Sequence, residues 1–256
     1  MHDAIAVPEK AIAKRLICLL TLMLSCPAGA AGQPFNYQWN IRDIIRTDGE
    51  EVELRTRAKR LIKKVSTSQL RILFAVKSSI EKVAELHTEL IIVDGDQPNA
   101  FAGKAQNGDK VIGINVSMLD LLGRDVHAAA ALIGHEIAHL KLRHGEQRAS
   151  SKDASGAMRV LGGVALSALG VPGGGLISDL TITALETNYS RDHESEADYL
   201  GAIWAVEAKY EPEGAVRLHT EIYERSRVRP MPFLSSHPSG PKRIAALKAL
   251  SQRLAP

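Results

Sequence analysis

His135-Glu136-Ile137-Ala138-His139 is the stretch of this sequence most able to do chemistry. Two histidines four residues apart on a helix lie on one face, about 6 Å apart along the axis. Both imidazoles can then reach one Zn²⁺ at about 2.0–2.1 Å. Glu136 leans to the edge of that face, where a carboxylate can take a proton from water. The bland alternative is a buried helix with two hydrogen-bonded histidines, and a third ligand would separate the two readings.

The helix that must hold this pattern runs from Asp125 to Gly145. It has neither Gly nor Pro between Val126 and Ile133 and is rich in Ala and Leu, strong helix formers. Gly145 closes it, with Lys141, Arg143 and His144 in the last turn, where the helix dipole favours cations. A metzincin would need a third His six residues beyond His139, but that position is Gly145. His144 comes one residue early and points away from His139 on a continuous helix, as a capping or supporting residue would.

A better third ligand lies at Ser190-Arg191-Asp192-His193-Glu194-Ser195-Glu196-Ala197-Asp198-Tyr199-Leu200-Gly201. On a helix, Glu194, Ala197, Asp198 and Gly201 share one face and Glu196 points elsewhere. Ala197 and Gly201 are small, so this helix can approach the one carrying His135 and His139. Two carboxylates on such a face are costly to bury unless they meet cations. Zinc would satisfy Glu194, and the N–H of a ligand imidazole would satisfy Asp198. An exposed acidic helix start, favoured by the dipole, is the alternative.

The remaining chain must supply a scaffold. Its 256 residues carry net charge +3, with 45% hydrophobic and 24% charged residues, which suits one substantial core and does not call for nucleic acid. Residues 1–30 read as a signal peptide: Lys10, Lys14 and Arg15, an apolar run from Leu16 to Leu24, then Ala28-Gly29-Ala30. That run is too short for a span of about 20 residues. Cys18 and Cys26 are the only cysteines, so cleavage after Ala30 would leave no thiol. Lipidation at Cys26 is the minor alternative. Residues 31–46 read as a polar, extended leader. Thr47 and Glu50 form a capping-box signature, and Leu54, Ala58, Leu61, Ile62 and Val65 follow at helical spacing. The bases from Arg55 to Lys64 could touch anionic lipid but suit a solvated helix face better.

A second helix is expected near 68–86, with Leu70, Leu73, Ile80 and Val83 on one side. Leu90–Val93 reads as a buried strand. Asn99-Ala100-Phe101-Ala102 and Val111–Ile114 flank an Asn107-Gly108 turn, a hairpin whose edge could take an extended peptide. Gly156–Gly175 reads as a helical hairpin or a membrane-surface contact. Helices are expected at Pro212–Ser226 and Pro241–Leu254. Between them Pro230, Pro232, Pro238 and Pro241 stiffen a loop carrying His237.

With its zinc-helix motif followed by Ser190-Arg191-x-x-Glu194-x-x-Ala197-Asp198-x-x-Gly201, the chain resembles the gluzincin family of the CAAX prenyl proteases. That family includes HtpX-type heat-shock proteases, the mitochondrial overlapping-activity protease and periplasmic assembly-enhancing proteases. Asn99–Ala102 and Ser236-His237-Pro238 with Arg243-Ile244 also look like family motifs. The resemblance implies one α+β metalloprotease domain over 47–256, predominantly helical, with a small sheet before the zinc helix. It implies one Zn²⁺ held by His135, His139 and Glu194, with Glu136 as general base and Asp198 orienting a ligand His. Asn99, Ala100, Phe101 and Ala102 would align substrate. By motif, His237 and Arg243 are candidates for stabilising the oxyanion, and His237 is alternatively a resting fourth ligand. The expected substrates are proteins or peptides, misfolded envelope proteins among them, and the expected location is the periplasm, with peripheral membrane contact or a lipid anchor as a further option. A chaperone-like binding module with a non-catalytic metal is the competing class.

Overall fold

A computed structural model describes residues 38–46, 48–56, 59–105, 107–151, 183–184 and 189–255. The expected signal segment and the Gly156–Gly175 stretch lie outside the described residues. Within them the fold is α+β and mostly helical, with a small five-stranded sheet and a separate two-stranded one.

Five strands form the larger sheet: β1 (Gln38–Asn40), β4 (Glu89–Val93), β5 (Ala100–Lys104), β6 (Lys110–Asn115) and β7 (Thr183–Ala184), in the order β1-β4-β6-β5-β7. β4 and β6 are parallel, and the other pairs are antiparallel. Side chains on a strand alternate between faces. Accordingly Leu90, Ile92, Ile112 and Ile114 join the main core, while Ile91, Val93, Phe101 and Val111 form a second cluster. The Phe101 ring fits because Gly113 lies opposite it: a Cβ there would come 2.1 Å from the ring. The expected β5–β6 hairpin is present. Gly108 sits at φ +89°, and the Asn107 side chain accepts from the Asp109 N–H at 3.0 Å.

Two stretches depart from the sequence expectation. Residues 47–65 were expected to be helical, but β2 (Glu51–Arg55) and β3 (Leu61–Ser66) form a separate antiparallel hairpin. The period-2 pattern wins: Val52, Leu54 and Val65 are buried, while Glu51 and the helical-pattern residue Leu61 are exposed. A left-handed Lys59 helps turn the chain. The second departure lies in 38–46, read as the end of a polar leader. There Trp39 pairs with Ile92 across β1 and β4, and Ile41 and Ile44 of α1 (Ile41–Ile45) are wholly buried.

α2 (Thr67–Ala84) starts where Ser66 accepts from the Gln69 N–H, and it buries Leu70, Leu73, Val76 and Ile80. α3 (Val116–Leu122) is capped by Asn115, whose Oδ1 accepts from the Met118 and Asn99 N–H groups. α4 (Val126–Lys141) carries the two histidines and lies at the centre, against α2, the sheet, α6 (Arg191–Glu207) and α7 (Glu213–Ser226). α5 (His144–Ser151), α8 (Pro232–Ser236) and α9 (Pro241–Leu254) complete the described helices. None of these helices is long and apolar enough to cross a membrane.

Asp125 fixes where α4 begins. Its Oδ1 accepts from the His127 and Ala128 N–H groups, both at 3.0 Å, and Arg217 on α7 donates to both carboxylate oxygens. The Arg217 hydrogen bond, helped by the backbone donors, draws the Asp125 carboxyl from 3.8 down to about 2. A depressed carboxyl contributes stability above its ordinary value and loses it as pH falls through the folded one. Asp125→Ala should cost about 1–2 kcal/mol near neutral pH, mostly as a lost cap, because the partly exposed ion pair is screened. Urea midpoints should show the gap to the wild type closing between about pH 4 and pH 2. A gap that ignores pH would leave the carboxylate without this role.

Candidate metal centre

Packing brings the pieces together before any charge is counted. α4 and α6 cross where Gly134 meets Gly201: a Cβ on Gly201 would lie 2.8 Å from the His135 nitrogen and 2.9 Å from the Gly134 carbonyl carbon. Ala197 is fully buried on the same face. Ser190 caps α6 by accepting from the His193 N–H at 3.1 Å, which sets the register that aims Glu194 and Asp198 at α4.

The outcome is one buried group of ligand atoms, from His135, His139, Glu194 and His237. His135 Nε2 is 3.0 Å from His139 Nε2 and 3.1 Å from His237 Nδ1. Glu194 Oε1 is 3.2 Å from His139 Nε2 and 3.1 Å from His237 Nδ1, and its Oε2 is 3.6 Å from His135 Nε2. A tetrahedral site with ligand distances of about 2.0–2.1 Å has donor–donor edges of about 3.3 Å, so the observed separations fit zinc. Chemistry agrees with geometry. Ring nitrogens facing one another need a proton or a cation between them, and His135 spends its Nδ1–H outward, on Asp198 Oδ1 at 3.1 Å.

Around this group the charges are arranged in layers. Arg243 on α9 donates from Nε and Nη2 to the two oxygens of Asp198 at 2.8 and 2.7 Å, and from Nη1 to Glu194 Oε2 and the Pro238 carbonyl. That guanidinium is therefore engaged with both carboxylates of α6 beside the donor group. Burial alone would raise Glu194, but the His135 and His237 charges and hydrogen bonds from His139 and His237 hold it far below the usual carboxylate range. Asp198 is likewise held low against its burial, chiefly by Arg243. Burial pushes His139 well down, and the neighbouring His135 charge adds to that. His135 is raised despite burial, because Glu194 and Asp198 face it.

Glu136 is the exception. It has no exposed surface, and neither carboxylate oxygen has a hydrogen-bond partner among the described residues. Burial accordingly raises its pKa. His237 Nε2 lies 3.4 Å from Glu136 Oε1. Such an orphaned carboxylate is poised to hold a proton on something that enters beside it.

Asn99, Ala100, Phe101 and Ala102 lie apart from the donors, on β5 and just before it, and β5 borders α4. β7 takes part of the outer edge of β5, at Gly103 and Lys104. Several neighbours carried no signal in the sequence. Tyr189 stacks on His139 with centroids 3.7 Å apart, and its N–H donates to the Ser236 carbonyl. Phe233 stacks on His237 at 4.6 Å. His219, buried near the Arg243 charge, is pushed down to about 3 by its burial. His144 was expected to point away but meets His139, with Nδ1 atoms 2.9 Å apart. α4 stops at Lys141, and Arg143 at φ +59° turns the chain back.

Residues 64–251 match Peptidase family M48. Mitochondrial metalloendopeptidase OMA1 of Schizosaccharomyces pombe is 28% identical over 173 residues, covering 66% of this chain and 48% of that protein. A protease HtpX homolog of Salinibacter ruber is 27% identical over 195 residues, covering 64% of this chain and 68% of its own. The chain thus spans about half the length of the yeast relative and less of the Arabidopsis thaliana OMA1, of which 30% is covered.

The helix crossing is open to direct test. Gly201→Ala must push α6 off α4, so thermal unfolding should show a loss of about 1–3 kcal/mol. A variant as stable as the wild type would mean that the two backbones have room to spare.

Proposed function

The chain belongs to peptidase family M48, and we propose that it is a zinc-dependent endopeptidase of gluzincin type. His135, His139 and Glu194 are its metal ligands, and Glu136 is its general base. The observation that carries this reading is the orphaned Glu136 carboxylate beside a buried, tetrahedrally spaced donor set. Zinc held there supplies a Lewis acid for the scissile carbonyl and a lowered pKa for water.

The chain's own groups do the rest. Glu136, with its raised affinity for a proton, takes one from the attacking water and passes it to the leaving amine. Asp198 accepts the His135 Nδ1–H and so keeps the Nε2 lone pair turned inward. Arg243 holds Asp198 and one oxygen of Glu194, and thereby positions both. His237 is the resting fourth ligand: its Nδ1 lies in the donor set while its Nε2 faces Glu136. One ring thus stands where water would have to stand, and an entering peptide must displace it.

Extended peptide aligns along Asn99–Ala102, where main-chain hydrogen bonds reward a strand-like substrate. The basic, apolar and small-residue series in 1–30 supports secretion across a membrane into the periplasm. Misfolded or unassembled envelope proteins are then the substrates.

His135→Ala should lose both metal and activity, whereas Glu136→Gln should keep stoichiometric zinc and lose cleavage of unfolded casein. Mass-spectrometric metal content beside a cleavage assay decides this. An active Glu136→Gln variant would favour a binding module with a non-catalytic metal, and a zinc-free one would remove the ligand assignment's support. His237→Ala should raise basal cleavage if the ring blocks the water position. A fall of about 10²–10³-fold would make it an oxyanion donor instead.

A further inference from the structure

We infer that His144 and Glu196 form a relay that fixes the tautomer of His139, the counterpart of what Asp198 does for His135. The inference rests on the reading of His139 as a metal ligand. His139 Nδ1 is 2.9 Å from His144 Nδ1, and His144 Nε2 is 3.1 Å from Glu196 Oε2.

The protons along this chain can be placed by elimination. An ionised carboxylate only accepts, so the His144 proton is on Nε2, pointing at Glu196. That leaves His144 Nδ1 as a bare lone pair. Two facing nitrogens 2.9 Å apart need one proton between them, and His139 Nδ1 must supply it. A neutral His139 that spends its proton this way has an unprotonated Nε2, the atom in the donor set; without a metal the relay competes with Glu194 Oε1, 3.2 Å from that Nε2, which favours a proton there. His135 and His139 therefore each have a carboxylate of their own. Asp198 acts directly and Glu196 acts through one intervening ring.

The local fold is shaped to make this contact. Arg143 adopts a left-handed conformation that a non-glycine residue rarely takes, and it turns His144 back under His139. His144 is fully buried, stacked on His193 with centroids 4.3 Å apart and rings 14° from parallel. On the other side, Tyr189 stacks on His139. Both rings are thus held by stacking, edge-on to one another with planes 72° apart. His144 is a positioning residue, because it acts only through His139.

Zinc affinity of the full chain, measured by competition with a chromophoric chelator, tests the relay. ¹⁵N spectra of the imidazoles in metal-free protein are the companion measurement. His144→Phe should weaken zinc about 10–100-fold, His144→Gln should recover much of that through its amide oxygen, and Glu196→Ala should weaken it less. In metal-free protein the share of His139 protonated on Nδ1 should be higher in wild type than in His144→Phe. A purely structural His144 would lower the melting temperature without moving that ratio. Wild-type zinc affinity in His144→Phe, or a tautomer ratio equal in the two proteins, would overturn the relay alone. Should wild type bind no zinc, the ligand reading fails and the relay with it. If His144→Phe does not fold, the zinc affinity and tautomer ratio of Glu196→Ala decide, since Glu196 is 60% exposed and outside the core.

Discussion

Two backbones in contact set everything else. Gly134 and Gly201 allow α4 and α6 to approach until a single methyl group would not fit between them. At that separation a glutamate on α6 reaches two imidazoles on α4, and a second carboxylate one turn later reaches the back of one ring. A wider crossing would place water between these groups and weaken every electrostatic interaction among them. The small residues are thus as much a part of the chemistry as the ligands.

That proximity carries a charge problem. Glu136, Glu194 and Asp198 are three carboxylates at or near full burial, and Arg243 is the one guanidinium among them. Two negative charges are left over, and leaving such groups uncompensated inside a protein costs several kcal/mol each. One divalent cation balances them. The hydrogen-bonding pattern points the same way, because ring nitrogens face one another at 3.0 and 3.1 Å and need a proton or a cation between them. Arg243 solves a smaller part of the problem. By holding Asp198 and the outer oxygen of Glu194, it fixes both carboxylates before any metal arrives.

Legibility in the sequence followed the range of the interaction. His135, Glu136, His139, Glu194 and Asp198 could be read because helical spacing places them on defined faces, and Gly201 because smallness on such a face implies close approach. The β5–β6 hairpin could be read because Asn107-Gly108 names its turn. The β2–β3 hairpin was misread because Leu54, Leu61, Ile62 and Val65 also satisfy a helical period. Only the burial of Val52, Leu54 and Val65 on one side of a ladder resolves it. For His144 a supporting role was legible but its direction was not. Gly145 looked like the residue that ends α4, but the left-handed position is Arg143, whose type announces nothing. His237 and Arg243 entered by family resemblance, since no local pattern connects α9 with α4. Tyr189, Phe233 and His219 had no such signal and needed the fold.

Burial decides how this centre can be used. Glu136 has no exposed surface and the four donors are at most 4% exposed. The elements that carry them differ in how they are held. α4 and α6 meet backbone to backbone, and α4 also packs on α2 and α7. His237, by contrast, follows the five-residue α8, which buries Phe233, and beside it the Tyr189 N–H donates to the Ser236 carbonyl. The His237 ring is held by Glu194 and His135 and stacked on Phe233 rather than by a backbone crossing. The four donors therefore converge by two routes, three from helices packed backbone to backbone and one from the end of a short helix.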